Sequence, residues 1–221
     1  LWEELFEEVG APFVEFQQLK NQILWGKLAP AQARRQVKKL RRTLQQLARK
    51  LGCTGGQRPG VFPVAGYGLD AIGGTKGEGY IPGPFSYFDG NLAKGHPAQD
   101  IFIVDRDFDY RDDRTGALVA IQSFSGGIVV ARNTQWDEGD PLRGGVYVDV
   151  YDPQTRQIFY YAHLASLEPE IQPGTCVSPG TRLGYLGRSG KNAYPRRSPT
   201  HLHFAVYQVA RTGLIRPVNP Y

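Results

Sequence analysis

Glycine and proline are distributed unevenly along this chain of 221 residues. Residues 1–51 contain two glycines and two prolines, whereas residues 52–221 contain 25 of the 27 glycines and 14 of the 16 prolines. Both residue types weaken helix interiors, and the turns between short strands use them often. The sequence therefore predicts an N-terminal α-helical segment over residues 1–52 and a β-rich domain over residues 53–221.

Proline and glycine also divide the helical segment. Pro12 and Pro30 suit the first turn of a helix, and Gly26 and Gly52 suit the position after a helix end. We therefore expect three helices, near residues 1–9, 12–25 and 30–51. In the third helix, apolar residues recur at steps of three and four, and basic residues surround them. The recurring residues are Val37, Leu40, Leu44, Leu47 and Leu51.

The basic face of helix 30–51 has two interpretations. It is either the solvated side of a packed helix or a surface that contacts an anionic membrane or cell-wall polymer. The formal net charge of the chain is +5. The whole excess lies in residues 1–52, so the β-rich domain is formally neutral and nucleic acid is not an expected partner. The sequence does not predict an oligomeric state.

From Cys53 onward, short apolar segments alternate with turn clusters rich in glycine, proline, serine and aspartate. No helical pattern separates these segments, which favours an antiparallel sheet. The predicted fold is therefore mainly β, with an N-terminal α-helical segment. The predicted strands are residues 101–104, 118–122, 127–131, 146–151, 158–163, 182–186 and 201–209.

The four histidines are the strongest indication of chemistry. His201 and His203 are two residues apart in a predicted strand, so both imidazoles lie on one face. His96 and Asp100 directly precede another apolar run, and His163 ends a third. A single histidine near a strand end is usually structural. Together, however, neutral imidazoles and a carboxylate form a ligand set that suits zinc.

Three motifs occur in a fixed order. They are His96-Pro97-Ala98-Gln99-Asp100, then Tyr161-Ala162-His163-Leu164, then His201-Leu202-His203-Phe204, with a glycine-rich segment at 173–190 before the last. Over residues 61–221 this order resembles the lysostaphin/LytM-like zinc metallopeptidases that cut peptidoglycan peptides. The resemblance implies an antiparallel β-sheet catalytic domain of the LytM/lysostaphin type, duplicated-hybrid-like. The chain departs from the family pattern at Ala98 and Ala205, which are not ligand positions.

The resemblance also implies residue roles. His96, Asp100 and His203 would bind one Zn²⁺ per chain, and His163 and His201 would be an unliganded catalytic pair. Which histidine is the base stays open. The implied function is a zinc-dependent endopeptidase that hydrolyses peptidoglycan cross-links or stem peptides with metal-activated water.

Other readings of the function stay open beside the endopeptidase. One is a non-catalytic LytM-like module that binds cell wall and activates other hydrolases, and another is an unrelated zinc peptidase that cuts proteins. The complete set of histidines favours the enzyme. The scissile bond stays open between a D-alanyl–diaminopimelate cross-link and a glycine bridge.

The family resemblance places the protein outside the cytoplasm, in the periplasm or cell envelope. The chain begins at Leu1 and contains no methionine, so we expect an export signal or anchor to have preceded it. In an oxidising compartment Cys53 and Cys176 would form a disulfide, and two buried free thiols are the alternative.

Two loops of the β-rich domain carry many charged residues. Loop 188–199 contains Arg196 and Arg197, which either flank a substrate groove or belong to an ordinary basic loop. Residues 105–114 place aspartates at alternate positions, as in a calcium loop. The glycine and glutamate that an EF-hand needs are missing, so a hairpin is the better interpretation.

Overall fold

The computed structural model describes residues 2–56, 60–74, 78–92, 94–195 and 198–221, with backbone only for 2–9. Two α-helices come first, α1 (Trp2–Leu24) and α2 (Pro30–Lys50). The prediction of three helices is wrong, because the first two form one helix with Pro12 inside it. Proline removes one backbone hydrogen bond. The burial of Phe13, Phe16 and Leu19 just after it favours continuation of the helix.

The apolar residues predicted for α2 are largely buried. Val37, Leu40 and Leu44 are buried, and Leu47 is half-buried. Leu51 is 41% exposed, which differs from the prediction, because the helix ends at Lys50. The described helices include none long and apolar enough to cross a membrane.

Eleven strands follow over the described part of the chain. They are β1 (Gln99–Phe102), β2 (Arg111–Asp112), β3 (Ala117–Leu118), β4 (Ala120–Gln122), β5 (Gly127–Asn133), β6 (Val146–Asp152), β7 (Gln157–Leu167), β8 (Cys176–Val177), β9 (Arg182–Leu186), β10 (His201–Val209) and β11 (Ile215–Val218). The predicted mainly β, antiparallel fold is confirmed.

The strands form two sheets. Nine strands form one sheet with the order β1-β10-β7-β6-β5-β8. In addition, β11 pairs with β10, and β9 pairs with both β4 and β7. Strands β2 and β3 form a separate hairpin over residues 111–118, which begins inside the segment 105–114 interpreted above as a hairpin and extends beyond it. The two longest strands, β7 and β10, are therefore central neighbours.

The two faces of the large sheet belong to different hydrophobic cores. The helices and one face share the first core, which includes Phe13, Leu19, Val37, Leu40, Ile128, Val130, Ile158, Ala205 and Tyr207. The opposite face forms the second, which includes Val129, Val148, Val150, Tyr161, Leu202 and Phe204. Side chains alternate between faces along a strand. His201 and His203 therefore lie on the same face as Ala205 and Tyr207, the face that the helices partly cover.

Two further links join the helices to the sheet. Cys53, just after α2, forms a disulfide with Cys176 on β8. Lys20 of α1 and Asp149 of β6 form a buried ion pair, with the ammonium 4.1 Å from the ring centroid of Tyr147 and 4.5 Å from that of Tyr160. The boundary between residues 52 and 53 stays a prediction.

Candidate metal and catalytic site

Strand pairing brings together two of the three predicted metal ligands. Asp100 of β1 lies directly opposite His203 of β10 in the antiparallel register. His96 precedes β1 and is held by a bridge to Ile81, whose carbonyl oxygen accepts a hydrogen bond from the His96 backbone N–H at 2.7 Å. The predicted residues therefore converge at one end of the face shared with the helices.

One nitrogen of His96, one nitrogen of His203 and a carboxylate oxygen of Asp100 lie within 4.8 Å of one another. His96 Nε2 and His203 Nδ1 are each 3.1 Å from Asp100 Oδ1. Burial raises the pKa of Asp100, but hydrogen bonds from His203 and His96 outweigh it and hold that pKa well below its usual range. The hydrogen bond with Asp100 raises the pKa of His96.

This donor set fits a zinc ion. His96 Nδ1 donates a hydrogen bond to the Gly79 carbonyl oxygen at 2.6 Å, which leaves Nε2 as the nitrogen that can bind a metal ion. Two imidazoles and a carboxylate are common zinc ligands, and three protein ligands leave a coordination position open for water or substrate. His96, Asp100 and His203 are all half-buried and can be reached from solvent.

The other two histidines lie beside this cluster. The ring centroids of His163 and His201 are 5.0 Å apart, and His163 is 5.6 Å from His203. His163 Nδ1 donates to the Ser189 carbonyl at 2.8 Å, and His201 Nδ1 donates to the Pro199 carbonyl at 2.7 Å. Each ring therefore keeps the lone pair of its Nε2 atom available as a proton acceptor.

Burial sets the protonation state of this pair. Only 4% of His163 and 6% of His201 is exposed. Burial lowers the pKa of His163 well below its ordinary value, and the neighbouring His201 and His203 act in the same direction. Burial also lowers the pKa of His201, against the raising effect of Asp100. Both imidazoles are therefore neutral at pH 7, the form that a general base requires.

His163 is one of four residues other than glycine with a positive φ in the described part of the chain, at 69°. Its backbone N–H donates to the Gly144 carbonyl at 3.0 Å, and its own carbonyl accepts from Gly187 N–H at 3.1 Å. Strained backbone of this kind persists where neighbouring structure fixes it, and it is frequent at functional sites.

A buried arginine holds the loop before His201. Arg188 donates to the carbonyls of Ser198 at 2.6 Å and Pro195 at 3.0 Å. It also donates to Thr200 Oγ1, which donates to Asp105 Oδ2 at 2.6 Å. The sequence prediction missed Arg188, because an arginine in a basic loop resembles a surface residue until its burial is known. Asp105 belongs to the segment 105–114, so this network joins that segment to the loop before His201.

The histidines line a cleft of about 260 Å³. Its walls include Leu24 from the end of α1, Tyr160 from β7 and Arg143 from the β5–β6 connection. The sequence prediction missed these three residues, because nothing in their local sequence distinguishes them from packing or surface positions. The predicted groove residues Arg196 and Arg197 lie outside the described residues.

Comparisons with known proteins give matches among solved structures. The chain is similar to a candidate glycyl-glycine endopeptidase lytM from Ruminococcus gnavus, with 30% identity over 56% of this chain and 43% of that one, at a TM-score of 0.40. It is similar to the catalytic domain of the antimicrobial peptidase lysostaphin from Staphylococcus simulans, with 18% identity over 80% of this chain and 93% of that one, at a TM-score of 0.42. It is also similar to a zinc-containing peptidase from Vibrio cholerae, with 16% identity over 75% of this chain and 37% of that one, at a TM-score of 0.37.

These likenesses are partial. All three TM-scores lie below 0.5, and this chain spans less than half the length of the R. gnavus and V. cholerae chains. Comparisons with family models and with the sequences of curated proteins find no match. The similar structures are nevertheless of the LytM and lysostaphin type that the histidine motifs resemble.

Proposed function

We propose that this protein is a zinc-dependent endopeptidase that hydrolyses peptide bonds in peptidoglycan. The proposal rests mainly on one observation, that His96, Asp100 and His203 line one open cleft together with two neutral histidines. Nucleophilic attack on an amide carbonyl needs an activated water, a proton acceptor and a group that stabilises the oxyanion. This cleft contains residues suited to each task.

His96, Asp100 and His203 would hold the ion. When bound, Zn²⁺ supplies Lewis-acid polarisation of the scissile carbonyl and lowers the pKa of a coordinated water. The chain's own contribution is to fix the ligand geometry. The Gly79 carbonyl sets the tautomer of His96, and the β1–β10 register sets Asp100 opposite His203.

The remaining histidines would perform the proton transfers. His201 is neutral, its Nε2 faces Asp100 Oδ2 at 3.7 Å, and it can accept a proton from the attacking water. His163 can hydrogen-bond to the developing oxyanion or deliver a proton to the leaving amine. Hydrogen bonds to the carbonyls of Ser189 and Pro199 hold both rings in fixed orientations. We do not assign the base to one of them.

Peptidoglycan as substrate and the cell envelope or periplasm as location are part of the proposal. The motif order that resembles peptidoglycan peptidases supports the substrate, and the Cys53–Cys176 disulfide fits an oxidising compartment. Contact of the basic face of α2 with a membrane or wall polymer is a further proposal.

Digestion of purified sacculi tests the function directly. The zinc-loaded protein should release muropeptides that mass spectrometry identifies, and the masses would assign the scissile bond. Removal of zinc by a chelator should abolish release, and addition of zinc should restore it. A protein that retains zinc and binds sacculi but cuts no wall preparation would support the non-catalytic module instead.

A further inference from the structure

Arg143 is a charged residue of the cleft that the proposed metal chemistry does not use. Apart from the histidines, the described lining of the cleft contains two charged residues, Asp100 and Arg143. Asp100 belongs to the proposed ligand set. With a divalent ion on that set, the cleft would have a net positive charge, and its Arg143 side would favour an anionic group of a ligand.

Backbone contacts fix the position of Arg143. Its N–H donates to Asn91 Oδ1 at 3.3 Å, and Asn91 N–H donates to the Leu24 carbonyl at the end of α1 at 3.0 Å. On the other side, a Cβ added at Gly190 would lie 2.3 Å from the Arg143 carbonyl oxygen. The next residue, Gly144, accepts the hydrogen bond from His163 N–H. Arg143 is therefore held between α1 and the His163 backbone.

The guanidinium has a neutral partner, the side-chain amide of Asn192. With the Asn192 amide turned so that its oxygen faces the donors of Arg143, Arg143 Nη2 and Nε donate to that oxygen at 2.5 and 3.3 Å. Among the described side chains, no carboxylate lies within 4.0 Å of it. Burial lowers the pKa of Arg143. Its positive charge also opposes protonation of His96, although hydrogen bonding to Asp100 dominates there, so the two side chains are close.

A half-buried arginine without a carboxylate partner is unusual, because a desolvated charge is stabilised when it is paired. Two of its five N–H donors face Asn192, and none of the other three meets a carboxylate within the described part of the chain. Arginine matches the planar geometry of a carboxylate through paired hydrogen bonds. The geometry points to Arg143 as a specificity-determining residue that binds a carboxylate of the substrate peptide beside the metal site, with Asn192 orienting the guanidinium. This inference rests on the proposed peptidase function.

Kinetics with a matched set of substrates test it. Synthetic cross-link peptides would carry one carboxamide in place of one carboxylate at a time, and the zinc-loaded protein would be assayed on each. We expect one amidation to raise KM about 10- to 100-fold with kcat changed less than about threefold, as expected for loss of a charge-assisted hydrogen bond. Arg143→Gln should raise KM for the free-acid peptide by a similar factor. The variant should then have nearly equal KM values for the free-acid peptide and the amidated peptide.

Control variants narrow the interpretation. Arg143→Lys, which keeps the charge but not the planar fork, should retain part of the preference. Arg216→Gln, an exposed charge on β11, should leave both parameters unchanged. Equal KM for all peptides in the wild type, or discrimination that survives in Arg143→Gln, would overturn the inference. A fall in kcat alone would also overturn it, because Arg143 would then act on the transition state.

Binding measurements distinguish a failure of the proposed peptidase function from a failure of the proposed carboxylate site. If the wild type cuts none of the peptides, calorimetric titration of the same acid and amide pairs still decides the question. Tighter binding of one acid by about 10- to 100-fold, lost in Arg143→Gln, would support the carboxylate site without cleavage. Equal affinities would reject it.

Discussion

Alanine substitution at His163 and at His203 should separate catalysis from metal retention. One nitrogen of His203 is among the three atoms that lie within 4.8 Å of one another, and His163 does not belong to that set. His203→Ala leaves two ligands and should purify zinc-poor and inactive. His163→Ala keeps all three and should retain near-stoichiometric zinc.

The size of the expected rate loss follows from the proposed role of His163. Removal of a general acid or base, or of an oxyanion donor, lowers kcat by about 10²- to 10⁴-fold, or about 3–5 kcal/mol of transition-state stabilisation. The substitution also leaves the Ser189 carbonyl without its donor, which costs about 1–3 kcal/mol of folding stability. Thermal unfolding would show whether the variant is still folded at the assay temperature.

Elemental analysis measures the zinc content of each variant, and muropeptide release from sacculi measures its activity on the same preparation. His96→Ala and Asp100→Ala should behave like His203→Ala, and His201→Ala should behave like His163→Ala. The reasoning is refuted if His201→Ala loses its zinc while His203→Ala retains it, because the roles along β10 would then be reversed.

Three further predictions concern stability. Lys20→Met leaves the buried Asp149 carboxylate unpaired and should lower the free energy of unfolding by about 3–5 kcal/mol. The double variant Lys20→Met/Asp149→Leu should lose less unfolding free energy, and chemical denaturation measures both. Replacing Cys53 and Cys176 by serine opens a loop with a sequence separation of 123 and should cost about 3–5 kcal/mol by the same measurement; free thiols in the denatured, unreduced wild type would contradict the link. Burial lowers the pKa of His163, so below about pH 6.5 the unfolded state binds more protons than the folded state. The metal-free protein should therefore lose stability as the pH falls through that range, and His163→Gln should reduce this loss. A pH profile of stability that is the same in His163→Gln would contradict the pKa shift.

The placement of the histidines could be predicted because it depends on local periodicity. A spacing of two residues on a strand puts His201 and His203 on one face whatever the rest of the fold does. The predicted bounds of β9 and β10 match the structure, whereas β7 continues to Leu167, past its predicted end at His163. The pairing that brings Asp100 opposite His203 joins residues 103 apart in the chain, and it was expected only through the family resemblance.

The missed features all depend on contacts between distant segments. Pro12 and its local sequence favour a helix boundary, but packing of the following turns on the sheet outweighs that preference. Arg188 and Arg143 resemble solvated basic residues in sequence. Only the folded structure places Thr200 and Asp105 near Arg188, and Asn192 beside Arg143.

The position of α1 relative to the site has a structural consequence. The helices cover the same sheet face that bears His201 and His203, so the end of α1 must stop short of the histidines for the cleft to stay open. It ends at Leu24, which lies in the cleft wall. A Cβ at Gly90 would lie 2.9 Å from the Ile23 carbonyl and 3.0 Å from that of Leu24, so glycine lets the following loop approach the helix end. Through Asn91 that loop contacts Arg143, so the helical segment helps to shape the cleft in which we propose that substrate binds.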